Sequence, residues 1–115
     1  MTTHPADSQP VDVAQAGQAL LDQARGTSNG HASRLVVGGS AQRAVLMALT
    51  AGSRLSEHES PPAATFHVVV GAARLYAVDG PELSVRAGEV VAIPGERHGV
   101  EALDDCIILL TVALG

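Results

Sequence analysis

Histidine and cysteine are the residues of this chain best suited to chemistry near neutral pH, and it has five histidines and one cysteine. Two of the histidines stand in matching surroundings. His58 closes the short run Gly52-Ser-Arg-Leu-Ser-Glu-His, is followed by the Pro61-Pro62 loop, and precedes an apolar run that ends at Gly71. His98 follows a run that opens at Gly88, ends at Pro94, and turns through Gly95-Glu-Arg. In each case glycine and proline frame a short strand and place an imidazole beside a turn. Two imidazoles held together can bind a divalent ion, hydrogen-bond a small molecule or pass a proton. The expectation is that His58 and His98 reach one pocket.

Other candidates have simpler explanations. Cys106 sits in Asp-Cys-Ile-Ile-Leu-Leu, where a buried and inert thiol is expected; as the single cysteine it permits no intrachain disulfide. His4 lies in a polar, proline-containing start and is expected to be solvated. Glu96 and Arg97 precede His98 in its turn, where they would be solvated or rim the pocket. Asp104-Asp105 and Gly38-Gly39 read as turns between strands. The sequence has no G-x-S-x-G elbow, no glycine-rich phosphate loop before a helix and no paired-cysteine motif.

The elements that must position the histidines follow from periodicity. Residues 1–10 read as a disordered tail. Residues 12–25 read as a helix, with Asp12 as cap, Gln15 three residues on, and Val13, Ala16, Leu20 and Ala24 on one stripe. Arg25 suits the negative helix end and Gly26 the stop. From Arg34 the period changes. Arg34–Val37, Ala44–Thr50, Thr65–Val70, Ala73–Asp79, Leu83–Arg86, Val90–Ile93, His98–Leu103 and Cys106–Leu114 read as strands, divided by Gly, Pro and Asp turns such as Asp79-Gly80-Pro81. Short strands in succession predict an all-β antiparallel sandwich or barrel with one N-terminal helix; the lack of helix–strand alternation argues against a doubly wound sheet. The expected division is a tail over 1–10, a helix and leading strand over 11–40, and the barrel over 41–115.

Bulk composition narrows the function. At 115 residues, 46% hydrophobic and 17% charged, the chain suits one domain with a real core. Net charge is −5, and all seven basic residues are scattered arginines. A phosphate backbone or an anionic membrane needs a clustered cationic face, so neither is expected as a partner. Phe66 and Tyr76 are the only aromatic residues, which leaves no stacking platform for single-stranded nucleic acid. With no signal-like or membrane-length apolar segment, a cytoplasmic protein is the expectation.

The order of glycines, proline and histidines resembles the two motifs of the small single-domain cupins, over about residues 44–114. Gly52, His58 and Gly71 match the first motif; Gly88, Pro94 and His98 match the second, with His98 one residue early. The family's second histidine falls on Ser60 and its glutamate on Ala64, while Glu96 and Ala102 replace a later glycine and asparagine. The resemblance implies a cupin-type jelly-roll barrel, or double-stranded β-helix, with a degenerate metal motif. Full cupin sites hold iron, manganese, nickel or zinc through three histidines and a carboxylate. Ser60 is a poor donor and Ala64 none, so the implied cofactor is none, or a divalent ion held weakly by His58 and His98. The implied pocket comprises His58, Ser60, Ala64 and His98, joined by His67 if a bulge turns it inward.

Three functions follow from that resemblance. One is binding of a small molecule in an aliphatic barrel around His58 and His98. Another is a metal-dependent enzyme of the family's kinds, a dioxygenase, isomerase, decarboxylase or cyclase, using the same two histidines. The third is a structural homodimer that acts through a partner, paired through residues 33–38.

Overall fold

The computed structural model describes residues 9–58 and 62–114, with His58 described by its backbone. One helix, α1 (Val13–Arg25), precedes nine strands: β1 (His31–Val37), β2 (Gln42–Leu49), β3 (Arg54–His58), β4 (Ala64–Val70), β5 (Ala72–Ala77), β6 (Glu82–Arg86), β7 (Val90–Ala92), β8 (His98–Ala102) and β9 (Cys106–Ala113). The strands form two antiparallel sheets, a larger one in the order β1-β2-β9-β4-β7 and a smaller one in the order β3-β8-β5-β6. This is a jelly-roll sandwich, the all-β architecture expected from the strand and turn pattern.

The larger sheet is apolar on both faces because it separates two cores. Along β2, Leu49 faces the sandwich interior, with Met47 packed beside it; Ala44, Leu46 and Ala48 alternate onto the other face. The interior core joins Leu49, Phe66, Val68, Cys106 and Ile108 of this sheet to Ala73, Leu75, Val85, Val100 and Ala102 of the other. On the outer face, Leu46, Ala48 and Ile107 meet Leu20, Leu21 and Ala24 of α1. Period-2 alternation with both sets apolar is what a sheet buried on two sides requires.

The helix begins as expected: the Asp12 carboxylate accepts the Gln15 N–H at 3.0 Å. Its end differs from the left-handed glycine stop. Gly26 stays right-handed (φ −92°), and the last turn closes through the Gly26 N–H on the Gln23 carbonyl at 3.0 Å and the Thr27 N–H and hydroxyl on the Ala24 carbonyl at 3.1 and 2.8 Å. The buried stripe is Gly17, Leu20, Leu21 and Ala24. Gly17 lets the helix close onto the sheet, since a Cβ there would run into the Ile107 side chain.

The smaller sheet turns a polar face outward. Arg54, Glu101 and Arg74 lie in register across β3, β8 and β5. Arg74 donates to Glu101 through Nε at 3.0 Å and Nη2 at 2.7 Å, and through Nη1 to Glu82 at 2.7 Å. Its guanidinium also stands 4.9 Å from the Tyr76 ring centre. The Arg74 guanidinium, helped by Arg54, holds the Glu101 carboxyl below the usual carboxylate range. Such a charge ladder keeps this face in water while the opposite face builds the core.

The motif glycines have a backbone reason. Gly71 has φ +81°, and a side chain there would also strike the Asp105 carbonyl; Gly52 and Gly88 adopt the same left-handed conformation. No helix of the described residues is long and apolar enough to cross a membrane.

Candidate functional site at the barrel mouth

The interior is fully buried at one end and less tightly buried at the other. At the closed end Leu49, Cys106, Ala73 and Ala102 are all buried. Towards the opposite end the inner face of the larger sheet becomes progressively more accessible. β9 runs from buried Cys106 and Ile108 to half-buried Leu110 and Val112, and β4 from buried Val68 and Phe66 back to half-buried Ala64. Val45, Val91 and Ile93 are likewise half-buried. Strand register arranges these residues in rows. Val45, Leu110, Phe66 and Val91 form one row; Arg43, Val112, Ala64 and Ile93 form the next, at the rim. The Ile93 N–H donates to the Ala64 carbonyl at 3.0 Å, which fixes the last pairing.

His98 lies at this same end, at the start of β8. It is 1% exposed, the only polar or charged side chain among the buried described residues. It belongs to the inner face with Val100 and Ala102, and stands opposite Ala77 on β5. Its Nδ1 lies 3.1 Å from the Glu96 carbonyl oxygen. A carbonyl only accepts, so Nδ1 carries the proton, and in the neutral ring Nε2 is the lone-pair nitrogen.

The backbone of β3 sets His58 directly opposite His98. That pairing depends on an irregularity. Leu55 pairs with Val100 and His58 with His98, so three steps along β3 match two along β8. The extra residue, in the Ser56-Glu57 stretch, is a β-bulge. In an unbroken strand residue 58 would fall on the opposite face from Leu55, which packs on the interior core. The bulge restores register with His98, and the Arg97 guanidinium donates to the Glu57 carbonyl within it at 3.2 Å.

The other expected site residues fall as follows. Ala64 is on the inner face at the rim, in the row across β4 and β9 with Val112. His67 is half-buried on β4 between Phe66 and Val68, which both face the interior, so it sits on the outer face; it pairs with Leu109, which packs on the helix-side core. Ser60 lies outside the described residues. Glu96 lies over the Gly80 turn, where a Cβ on Gly80 would meet its Oε2 at 2.9 Å.

A three-histidine, one-carboxylate centre does not fit the described donors. Ala64 brings a methyl group to the carboxylate position, His67 stands on the outer face, and no three His, Cys, Asp or Glu residues cluster among the described residues. Cys106 does not contribute: it is wholly buried in the closed end, and burial pushes its thiol up to about 12.

No protein-family model matches the sequence, and no curated protein does. Solved structures do match the fold. One is a cupin superfamily protein from Desulfitobacterium hafniense, 15% identical with a TM-score of 0.75, covering 94% of this chain and 93% of that one. Another is an RmlC-like cupin from Desulfovibrio desulfuricans, 20% identical with a TM-score of 0.67, covering 99% and 97%. A third is a conserved protein of unknown function from Streptococcus pyogenes, 20% identical with a TM-score of 0.74, covering 99% and 91%. At this level of identity the likeness is one of fold. The chain is a small cupin-fold protein.

Proposed function

We propose that the protein binds a small organic molecule at the open end of the barrel, with His58 and His98 on its polar side. The observation that supports this most is where His98 lies. A nearly inaccessible imidazole stands at the one end of the interior whose apolar residues, Val45, Leu110, Val112, Val91 and Ile93, remain half-buried. Concave apolar surface with a few convergent polar groups is the usual make-up of a small-molecule site. Residues directly opposite in an antiparallel pair share a face, so the register of His58 with His98 favours a second imidazole there.

The test is methyl-resolved NMR of the full chain during titration with a panel of small organic molecules. Binding at the mouth moves the methyl signals of Val45, Leu110, Val112 and Ile93 and the ring signals of His98. Shifts confined to other surfaces, or none across the panel, would remove the proposal.

The same reading takes a second copy of the chain as partner. β1 is the edge strand of the larger sheet, and on it Leu35 and Val37 are 55% and 45% exposed. An exposed apolar edge invites strand pairing, and one that pairs with its own copy is self-complementary under a two-fold axis. Sedimentation of the wild type as a dimer and of Leu35→Lys as a monomer would support this; a monomeric wild type at high micromolar concentration would refute it.

A further inference from the structure

Arg43 has no counterpart in the expectations from sequence, yet it stands on the mouth. β2 pairs with β9 without interruption from Gln42 to Leu49. Arg43 is therefore on the same face as Val45 and interior Leu49, and directly opposite Val112. Its row continues through Ala64 to Ile93. Arg25, Arg54 and Arg74 are held in ion pairs on outer surfaces, whereas Arg43 makes no ion pair among the described residues. The inner-face rows of the mouth contain no carboxylate: Val45, Leu110, Phe66, Val91, Val112, Ala64 and Ile93 are all apolar. In a chain of net charge −5, the described inner-face rows bring Arg43 and His98 to this opening, with Glu57, Glu96 and Arg97 in the bulge and turn beside it.

We infer that the mouth takes a small monocarboxylate with an apolar body, its carboxylate on Arg43 and its hydrocarbon part against Val45, Leu110, Val112 and Ile93. This rests on the mouth being a binding site, as proposed above, and names the ligand class. The guanidinium fork matches a planar carboxylate in two parallel hydrogen bonds, and one cation with no further basic residue on its row suits a single negative charge. Facing sheets stand roughly 10 Å apart, so a ligand anchored at Arg43 and reaching towards His98 has a body of roughly four to six carbons. The same row explains the choice of an anion over a metal ion. Where a carboxylate would attract a cation, Ala64 supplies none and Arg43 repels it.

The experiment is isothermal titration calorimetry on the full-length protein with sodium hexanoate and, separately, hexan-1-ol. Wild type is expected to bind hexanoate at least tenfold more tightly than the alcohol. Arg43→Gln should lose tenfold or more in hexanoate affinity and Arg43→Lys less, while Arg86→Gln, at an exposed outer-face arginine, binds as wild type. Thermal unfolding of the unliganded variants within about 3 °C of wild type shows that the change is local, since an exposed substitution away from packed features barely alters stability. Equal binding of hexanoate by wild type and Arg43→Gln overturns the inference. Binding of hexan-1-ol as tight as that of hexanoate also overturns it, but leaves the mouth a binding site. Absence of binding by both compounds overturns the inference together with the reading it rests on.

Discussion

Phe66 is the largest fully buried side chain, 2% exposed, and lies one row below the rim between Leu110 and Val91. It forms the floor on which a bound molecule would rest, and it also seals the core beneath. Phe66→Ala removes the ring from a site whose neighbours belong to two sheets and cannot easily collapse. A substitution of this kind costs about 3–5 kcal/mol. At about 2.1 cal/mol/K of unfolding entropy per residue, a chain of 115 residues loses roughly 12–20 °C in Tm. Urea unfolding followed by circular dichroism measures the free energy, and Phe66→Leu, costing about 1–2 kcal/mol, keeps the question answerable if the alanine variant fails to fold. The functional consequence runs the other way. With the floor lowered, Phe66→Leu should shift the preferred ligand towards a longer hydrocarbon chain in the calorimetric series. A stability loss under about 1 kcal/mol for Phe66→Ala would refute the claim that this ring closes the interior beneath the mouth.

Gly17→Ala gains about 1 kcal/mol of helix propensity but drives a methyl into Ile107, at about 1–3 kcal/mol, so denaturant titration should show a net loss. Cys106 is buried with its thiol pushed up to about 12, so it stays protonated to pH 9, and Ellman's reagent should label it only after urea is added. Asp105 accepts the Ala51 N–H at 2.8 Å and pairs with Arg25, which hold its carboxyl below the usual range. Its contribution is therefore full above the ordinary carboxylate pKa and lost as pH falls through the lowered value. Tm measured from pH 6 to pH 2 should fall more for wild type than for Asp105→Ala. Adding donors with Ser60→His and Ala64→Glu should raise nickel or zinc affinity well above wild type by calorimetry, the carboxylate also countering Arg43; unchanged affinity would contradict the placement of Ala64 at the mouth.

Much of the architecture was legible because backbone constraints print themselves in residue type. Gly52, Gly71 and Gly88 occupy left-handed conformations that other residues rarely adopt, so their spacing marked the turns. Asp12 and the helix after it were equally plain. The details of the mouth were not. The pairing of His58 with His98 rests on a bulge, and nothing in Arg-Leu-Ser-Glu-His distinguishes a bulged strand from a regular one. Arg43 was missed for a related reason. Both faces of Ala44–Leu49 are apolar, so alternation alone does not say which face is interior, and the face of residue 43 followed only once α1 was placed. Knowing that Gly17 touches Ile107 would have settled it, but a glycine inside a helix reads as a weak position and not as a contact. His67 shows the opposite case. Simple alternation from Ala64 turned it outward unless a bulge intervened, and the pairing of Ala64 to Val68 with Val112 to Ile108 is regular.

Whether His58 and His98 face one small-molecule site at the less buried end of the barrel is decided by their side-chain geometry around a ligand. A crystal structure of the untagged protein grown with sodium hexanoate tests it most directly. The expected result is ligand density at the mouth, the carboxylate on Arg43, and the ring nitrogens of His58 and His98 within hydrogen-bonding reach of a shared ligand or water. A structure with the two imidazoles on opposite faces of their sheet, and the space between Val45, Leu110 and Ile93 filled by the protein's own side chains, would contradict it.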